Sequence, residues 1–427
     1  METLRYGSTG PAVEYLQLAM KRSGFYAGDI TGVFDDAVRA AVISFQRSFG
    51  LTPDGVVGKN TWQSLMPFLR GYHRYRVKRG DSFYTISQAF YTTLRSILTA
   101  NPTLDPQNLQ IGQYIYVPYG FDVVATNVSY THAFLEIIME GLTARYPFLT
   151  SGTIGTSVMG REIYFLSIGR GPVQVSYNAS HHANEWITTP VLLKFIEQYA
   201  KAYSAGERLN SFNTLTMYNS SNLYLIPMVN PDGVDLVTGG IPRSNRYYTQ
   251  AEALSRNYPQ IPFPSGWKAN IAGIDPNLSY PARWEQARDI KFAQGFTEPG
   301  PRDFVGTAPL SARESRAMYD FTLNHDFALT LSYHSQGEVI YWRFADYLPP
   351  RSEEIVRLME KASGYTAEVT PSMSANAGYK DWFIQTYNRP GYTVEVGLGE
   401  NPLPLSQFDK IYSDNIGILT LGITEMI

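Results

Sequence analysis

The chain has 427 residues, 44% of them hydrophobic, and this length and composition predict two or three domains. The formal net charge is −3 without a long basic run, so neither nucleic acid nor an anionic membrane surface is a predicted partner. The absence of cysteine excludes disulfides and thiolate metal sites. No apolar stretch is long enough to span a bilayer, and residues 1–7 lack the basic and apolar regions of a signal peptide.

The first predicted domain, residues 1–70, is a small helical bundle. Residues 11–20 and 36–46 carry apolar side chains at helical spacing, and Gly-Asp turns separate the two segments. The residues that define a family pattern here are Val13, Leu16, Gln17, Gly28, Asp29, Gly32, Phe34, Phe45, Gln46, Gly50, Leu51, Asp54, Gly55, Gly58, Thr61 and Trp62. Through them the domain resembles the type 1 peptidoglycan-binding family, which implies attachment to the bacterial cell wall.

The second predicted domain, residues 73–119, is a strand, two helices and a strand, with Asp81 or Ser82 capping the first helix. It resembles a LysM domain, a module that binds glycans containing N-acetylglucosamine. The alternative is that both small domains are generic folds that act as spacers. The residues shared with LysM domains are Val77, Gly80, Asp81, Ile86, Asn101, Pro102, Ile111, Gly112, Val117 and Pro118.

The third predicted domain, residues 125–427, has longer alternating strands and helices, which is typical of one large α/β domain. Residues 239–306 are rich in Pro, Asn, Arg and aromatic residues with little periodicity, so we expect a long structured loop region around a cleft. The predicted strands are 163–168, 173–178, 223–228 and 328–333, and the predicted helices are 130–146, 187–203 and 311–324.

A candidate metal site follows the strand predicted at 173–178. His182 and Glu185 lie between this strand and a helix, so an imidazole and a carboxylate can point at one place and bind zinc. Catalytic zinc usually takes three protein ligands. Of the six histidines, His334 is the best third ligand because it also follows an apolar strand. His181 lacks the His-x-x-Glu spacing and is interpreted as a wall residue.

The remaining histidines fit other roles. His73 lies in a basic, aromatic stretch between domains. His132 and His325 lie near the start and the end of predicted helices, where a solvated or capping imidazole is the simpler interpretation. None of them therefore competes with His334 as a zinc ligand.

Five motifs follow one another along the third domain. They are His182-Ala183-Asn184-Glu185-Trp186, Val229-Asn230-Pro231-Asp232-Gly233, Gly273-Ile274-Asp275-Pro276-Asn277, Tyr333-His334-Ser335-Gln336 and Tyr392-Thr393-Val394-Glu395-Val396. In their order and approximate spacing they resemble the M14 zinc carboxypeptidases. The resemblance implies a carboxypeptidase-like α/β domain with a mixed central sheet and one Zn²⁺ ion held by His182, Glu185 and His334.

Two further motifs narrow the resemblance. The stretch from Trp267 to Asp275 and the following Tyr280-Pro281-Ala282-Arg283-Trp284-Glu285 look like the bacterial γ-D-glutamyl-L-diamino acid endopeptidases. These enzymes cut the bond between γ-D-Glu and diaminopimelate in peptidoglycan stem peptides. The resemblance therefore implies peptidoglycan glycan strands and stem peptides as partners.

Amide hydrolysis at neutral pH needs a strong nucleophile, which zinc can provide by lowering the pKa of water to about 7. A carboxylate must then take up a proton and pass it to the leaving amine. Glu395 is the candidate because it lies in the middle of a predicted strand among apolar residues, where packing does not account for a charged side chain. The alternative is a buried ion pair with an arginine.

A cationic or N–H donor must stabilise the tetrahedral intermediate. Alignment on the tryptophan puts Lys268 where the family keeps an arginine for this task. Arg243, Arg246 and Arg283 are the alternatives that the sequence leaves open.

The residues expected to bind substrate depart from the family. Asn277 is followed by Leu278, so the arginine of the family's carboxylate clamp is missing, which argues against simple C-terminal trimming. Lys380 falls at the pocket position that sets side-chain preference, where it favours an acidic group such as a diaminopimelate carboxylate. A surface lysine is the alternative interpretation. The family's active-site tyrosine position falls near Met373.

The sequence thus predicts a zinc peptidase held on its polymeric substrate by two wall-binding modules. A metallocarboxypeptidase and a catalytically inactive wall-binding protein are the alternatives, and the retention of His182, Glu185, His334 and Glu395 argues against the second. The expected location is the cell wall or the spore, while the missing signal peptide leaves a cytoplasmic or forespore enzyme open. No heptad repeat or symmetric patch indicates an oligomeric state.

Overall fold

The computed structural model describes all 427 residues, which form two compact units. The first unit comprises Met1–Ser129 and Ala133–Thr150, and the second comprises Tyr130–His132 and Ser151–Ile427. No helix in either unit combines the length and the apolar character that crossing a membrane requires.

The first unit begins with the expected helical bundle, which has a third helix in addition to the two that periodicity predicted. Buried glutamines fix its turns: Gln17 accepts a hydrogen bond from the backbone N–H of Gly32, and Gln46 accepts one from Gly55. Both glycines have a positive φ, which a residue with a side chain rarely adopts. The helices are α1 (Pro11–Arg22), α2 (Asp36–Ser48) and α3 (Lys59–Arg70).

The predicted strand-helix-helix-strand module follows, with its two strands paired antiparallel. Ser82 caps its first helix and completes a capping box with Thr85, whereas Asp81 accepts a hydrogen bond from the backbone of Lys78. Asn101 joins the second helix to the last strand through hydrogen bonds to the backbone of Tyr116. The elements are β1 (Tyr72–Arg76), α4 (Phe83–Ala89), α5 (Leu94–Ala100), β2 (Tyr114–Pro118) and, after the module, α6 (His132–Arg145).

An eight-stranded sheet forms the centre of the second unit. Its strands are β3 (Thr150–Thr156), β4 (Glu162–Gly169), β5 (Val173–Ala179), β8 (Ser221–Ile226), β9 (Phe327–Ser335), β10 (Val339–Tyr341), β11 (Thr366–Glu368) and β12 (Gly391–Val396). A separate two-stranded hairpin consists of β6 (Arg208–Leu209) and β7 (Phe212–Asn213).

Nine helices accompany this sheet. They are α7 (Thr188–Ala205), α8 (Thr214–Ser220), α9 (Pro231–Thr238), α10 (Arg246–Ser255), α11 (Trp284–Ala293), α12 (Arg313–Leu323), α13 (Ser352–Ser363), α14 (Tyr379–Tyr387) and α15 (Phe408–Thr424).

The sheet is mixed, as the resemblance implied, with the strand order β11-β10-β12-β9-β5-β8-β4-β3. The four central strands β12, β9, β5 and β8 are parallel, and β10 and β4 run antiparallel to their inner neighbours. Strand β9 is buried along almost its entire length, because α7, α14 and α15 pack against it.

The segment 239–306 departs from expectation, because it contains the helices α10 and α11 as well as loops. Both helices are short, and each packs into a hydrophobic cluster. Tyr248 of α10 packs with Trp267, and Trp284 of α11 packs with Val305. The surrounding Pro and Asn residues hid this periodicity in the sequence.

The sheet topology determines where the functional side chains meet. The parallel strands β5, β9 and β12 are neighbours, so their carboxyl ends share one edge of the sheet, where α/β proteins commonly bind ligands. His182 follows β5, His334 lies near the end of β9, and Glu395 lies opposite His334 in the register of β12.

Candidate metal centre and active-site cleft

A hydrogen-bonded turn directs His182 out of strand β5. Ser180 has a φ of 53°, a left-handed conformation that is uncommon for a residue with a side chain. Its backbone N–H donates to Thr188 Oγ1 at 3.1 Å, and its hydroxyl lies 2.8 Å from that of Thr189. Asn230 donates to the carbonyl of His181, so both sides of the turn are held.

Three side chains converge at this turn. His182 Nδ1 lies 3.0 Å from Glu185 Oε1 and 3.2 Å from His334 Nδ1, and His334 Nδ1 lies 2.9 Å from Glu185 Oε2. Tetrahedral coordination with zinc–ligand bonds of about 2.0–2.1 Å separates ligands by roughly 3.3 Å. The observed separations are close to this value, and no other group of His, Cys, Asp or Glu in the chain is arranged to hold a metal.

The surroundings of these side chains also fit zinc. The second nitrogen of His182, Nε2, lies 3.3 Å from Asp275 Oδ1, so the carboxylate can hold the proton there and leave Nδ1 free to coordinate. Glu185 Oε2 also accepts a hydrogen bond from the backbone N–H of Ser335. The His-Glu-His set therefore fits a single zinc ion, with an additional carboxylate orienting one imidazole.

The electrostatics favour the cation-binding form of Glu185 and of His334 but not of His182. Burial opposes the charged form of His182, but the carboxylates of Glu185 and Asp275 outweigh it and raise its pKa to about 9, so a metal ion would displace a proton there. Burial opposes ionisation of Glu185, but His182 and Lys268 outweigh it and hold the pKa of Glu185 well below its usual value. Burial also lowers the pKa of His334, which favours the neutral imidazole.

The other histidines lie outside the metal cluster. His181 is fully buried, and its Nε2 lies 3.0 Å from the hydroxyl of Tyr280, consistent with a wall residue. His325 follows α12 and bonds through Nδ1 to the carbonyl of Phe321, as a capping histidine does. His132 is the first residue of α6, and His73 lies in β1.

Glu395 lies beside this cluster with no ion pair to an arginine. Burial, followed by the charge of Glu185, raises the pKa of Glu395 to about 8. Its side chain lines both cavities of the cleft described below. An unpaired carboxylate facing a cavity supports a proton-transfer role over a structural ion pair.

Lys268 reaches the cluster directly. Its Nζ donates to Glu185 Oε1 at 2.9 Å, and it lines both cavities. The three alternatives lie elsewhere, because Arg243, Arg246 and Arg283 are exposed and line neither cavity.

The predicted substrate-binding residues line one side of the cleft. Asn277 Nδ2 lies 3.4 Å from His334 Nε2, and Leu278 lines the cavity beside it. Lys380 is buried rather than on the surface, and its Nζ contacts Asp381 Oδ1 at 2.7 Å. Met373, at the family's tyrosine position, is exposed and does not line the cavity.

Lys380 is held by three protein partners. Nζ donates hydrogen bonds to the carbonyl of Arg343 at 2.9 Å and to Thr370 Oγ1 at 3.2 Å, and it forms an ion pair with Asp381 Oδ1. Asp381 Oδ1 accepts no hydrogen bond within the protein. Lys380 and Asp381 therefore present a buried ion pair to the cavity, with hydrogen-bonding capacity left on both side chains.

Two cavities extend from the metal centre. One has a volume of about 170 Å³ and reaches Asn277 and Lys380, and the other has a volume of about 520 Å³ and reaches Asn184. The residues that line both are Lys268, Arg302, Tyr341 and Glu395. The cleft thus continues on both sides of Glu395.

Sequence reasoning missed several charged residues of the cleft. Asp303 pairs with Lys291 at 2.7 Å and with Arg302, and its backbone N–H donates to Asp275 Oδ2. The available signal was the Arg302-Asp303 pair directly before the buried Phe304, a place where charges need partners. No sequence motif indicated this charged group, because Lys291 lies in α11, away from Arg302 and Asp303 in the sequence.

A mixed α/β sheet with a His-Glu-His zinc set at the ends of parallel strands defines a zinc metallopeptidase of the carboxypeptidase fold. The zinc carboxypeptidase profile, peptidase M14, matches residues 135–417, and profiles for a peptidoglycan binding domain and a LysM domain match residues 9–65 and 75–118. The chain belongs to the M14 zinc carboxypeptidase family, and its N-terminal modules indicate peptidoglycan binding and association with the cell wall.

Named relatives agree with this assignment. The chain is 41% identical over 400 residues to gamma-D-glutamyl-L-diamino acid endopeptidase 1 of Lysinibacillus sphaericus, covering 81% of this chain and 98% of that protein. It is 40% identical over 338 residues to the uncharacterized protein YqgT of Bacillus subtilis strain 168, covering 79% and 86%. Carboxypeptidase A from Helicoverpa armigera matches with a TM-score of 0.53 at 20% identity over 70% of this chain and 73% of that chain, which supports the shared fold.

Proposed function

We propose that this enzyme hydrolyses the amide bond between γ-D-Glu and diaminopimelate in peptidoglycan stem peptides. The cleft that continues on both sides of Glu395 and Lys268 is the observation that carries this proposal, because an endopeptidase must bind substrate on both sides of the scissile bond. The similarity to a γ-D-glutamyl-L-diamino acid endopeptidase supports the choice of bond.

The metal ligands in this proposal are His182, Glu185 and His334. Zinc bound there would supply Lewis-acid polarisation of the scissile carbonyl and would acidify water. Glu395 takes a proton from the attacking water and delivers it to the amine of diaminopimelate, and its burial strengthens the affinity of the carboxylate for that proton. Lys268 Nζ stabilises the negative charge that develops on the carbonyl oxygen.

The smaller cavity receives diaminopimelate, the leaving group. Leu278 replaces the arginine of a carboxylate clamp, so a C-terminal carboxylate has no fixed partner at that position. Asn277 offers an amide there, while the buried pair of Lys380 and Asp381 provides a polar floor. The side chain of diaminopimelate ends in an ammonium and a carboxylate. It is therefore complementary in charge to Asp381 and Lys380, respectively.

A defined peptide tests the proposal. Purified protein is incubated with L-Ala-γ-D-Glu-meso-diaminopimelate, with and without a zinc chelator, and the products are identified by mass. We expect chelator-sensitive release of L-Ala-D-Glu, and no release by the Glu395→Gln variant. Removal of only the terminal residue from a tetrapeptide stem would assign a carboxypeptidase instead, and zinc binding without cleavage of either peptide would favour a wall-binding scaffold.

A role at the spore is part of this proposal. The peptidoglycan-binding modules support action on a peptidoglycan wall, which both the vegetative cell and the spore possess. Localisation of a tagged full-length protein in growing and sporulating cells would distinguish a spore enzyme from one that acts on the vegetative wall.

A further inference from the structure

Arg302 shares its carboxylate partner with a second cation. Asp303 is paired with both Lys291 and Arg302, so one carboxylate faces two positive charges. Lys380 has its own carboxylate in Asp381, and Lys268 has Glu185. The next acid beside the trio of Asp303, Lys291 and Arg302 is Asp275, which accepts a hydrogen bond from the backbone of Asp303 and orients His182.

Arg302 is the member of this trio that reaches the larger cavity. Lys291 and Asp303 line only the smaller cavity, whereas Arg302 lines both. Its Nε donates to Asp303, its Nη atoms make no hydrogen bond within the protein, and its side chain is 40% exposed. The two Nη groups of the guanidinium can therefore still donate a pair of parallel hydrogen bonds to one carboxylate.

The proposed substrate has a carboxylate to place there. When D-Glu is linked through its γ-carboxyl group, its α-carboxylate stays free, four bonds from the scissile carbonyl carbon and on the acyl side. An ordinary α-linked peptide has a charge at that distance only when the acyl-side residue is itself an α-linked glutamate. Since the smaller cavity receives diaminopimelate, the acyl side falls in the larger cavity.

We propose that Arg302 binds the free α-carboxylate of γ-linked D-Glu and thereby makes the enzyme selective for an acyl residue that carries a carboxylate at this distance from the scissile bond. The inference rests on the proposed function. Asn184 also lines the larger cavity, and its buried Oδ1 has no hydrogen-bond partner in the protein.

The test removes each partner of the proposed ion pair in turn: the guanidinium of Arg302 on the enzyme and the α-carboxylate of D-Glu on the substrate. The two peptides are L-Ala-γ-D-Glu-meso-diaminopimelate and its analogue with the D-Glu α-carboxylate replaced by a carboxamide. The variants are Arg302→Gln and, as a matched control, Arg288→Gln. Arg288 also pairs with the aspartate that follows it and is 38% exposed, but it lines neither cavity. Zinc content is measured for each protein, because Asp303 contacts Asp275.

We expect Arg302→Gln to lower kcat/KM on the carboxylate peptide roughly 10- to 150-fold, the usual range for a hydrogen bond to a charged group. On the carboxamide peptide the variant and the wild type should differ less than threefold, and Arg288→Gln should match the wild type on both peptides.

Equal losses on both peptides would overturn the inference and assign Arg302 to carbonyl polarisation or to support of the metal site, and no loss on either would also overturn it. Those results leave the proposed function intact, because the wild type still cleaves. A wild type that cleaves neither peptide would instead refute the proposed function and this inference together.

Discussion

The side chains around the metal centre differ in how directly the sequence marks them. His182, Glu185 and His334 could be predicted because each follows an apolar strand, where a polar residue without a turn role suggests a ligand. Arg302 could not, because it acquires its role only when a loop and a separate helix meet around Asp303. Side chains joined by long-range packing leave no local pattern.

Removing the proton-transfer group gives the first prediction. The Glu395→Gln variant keeps the shape of the side chain but cannot take up a proton at neutral pH. We expect kcat to fall by about 10²- to 10⁴-fold, the usual contribution of general acid–base catalysis. Stopped assays on the tripeptide measure kcat, and metal analysis should find one zinc per chain. Glu368→Gln, at an exposed glutamate of β11, is the control. A variant that retains wild-type kcat would exclude Glu395 from the chemistry.

The charge at Lys268 gives the second prediction. Lys268→Met should lower kcat by roughly 10²- to 10³-fold, as loss of a donor to a developing oxyanion does. Lys268→Arg should recover most of the activity, because the family places an arginine at this position. Steady-state kinetics should assign the loss to kcat, with KM changed less than threefold. If both variants were equally inactive while binding zinc, the lysine would serve the packing around Glu185 rather than the reaction.

At the scale of secondary structure, one helix fixes the loop that carries Asp275. Glu314, in the first turn of α12, accepts hydrogen bonds from Asn270 Nδ2 at 2.8 Å and from the backbone N–H of Val158. Asn270 in turn accepts from the backbone of Ile274, next to Asp275. The periodicity of the sequence predicted α12. The hydrogen bonds of Glu314 and Asn270 could not be predicted, because they join residues from three separate segments of the chain.

Burial of Glu314 predicts how stability depends on pH. Burial raises its pKa from 4.5 to about 7, so the folded state binds the proton more tightly than the unfolded chain does. The stabilisation is complete below the unfolded pKa and is lost as pH rises through 7. From pH 5 to pH 8, we expect the free energy of unfolding to fall by roughly 2–3 kcal/mol more in the wild type than in Glu314→Gln.

Urea unfolding of the zinc-loaded proteins at the two pH values measures this difference. Glu353→Gln is the matched control, because Glu353 also lies in the first turn of a helix, α13, but is exposed. It should follow the wild type at both pH values. A Glu314→Gln variant with the same pH dependence as the wild type would mean that Glu314 is already ionised when folded.

At the scale of the whole molecule, modules and central strands were predictable, whereas short sheet-edge strands were not. The N-terminal modules carry motifs within short segments, so their family could be inferred locally, and profile matches confirm it. Strands β10 and β11 have three residues each, too few to show alternation, and their pairing depends on distant parts of the chain. The domain boundaries at residues 70, 119 and 125 stay predictions.

The last prediction concerns the connection between binding and catalysis. If the wall-binding modules raise the local concentration of the peptidase at its polymer, a soluble oligomer of N-acetylglucosamine should compete for the full-length protein. We expect the rate of stem-peptide release from insoluble peptidoglycan to fall roughly tenfold, since tethering can raise effective affinity 10²- to 10⁴-fold. Hydrolysis of the short soluble tripeptide should not change, because it needs no tether. A glucose oligomer of equal length, which lacks the acetamido groups, is the control. Equal inhibition of both reactions would mean that the oligomer enters the catalytic cleft, and no inhibition of either would mean that the modules do not hold the enzyme on glycan.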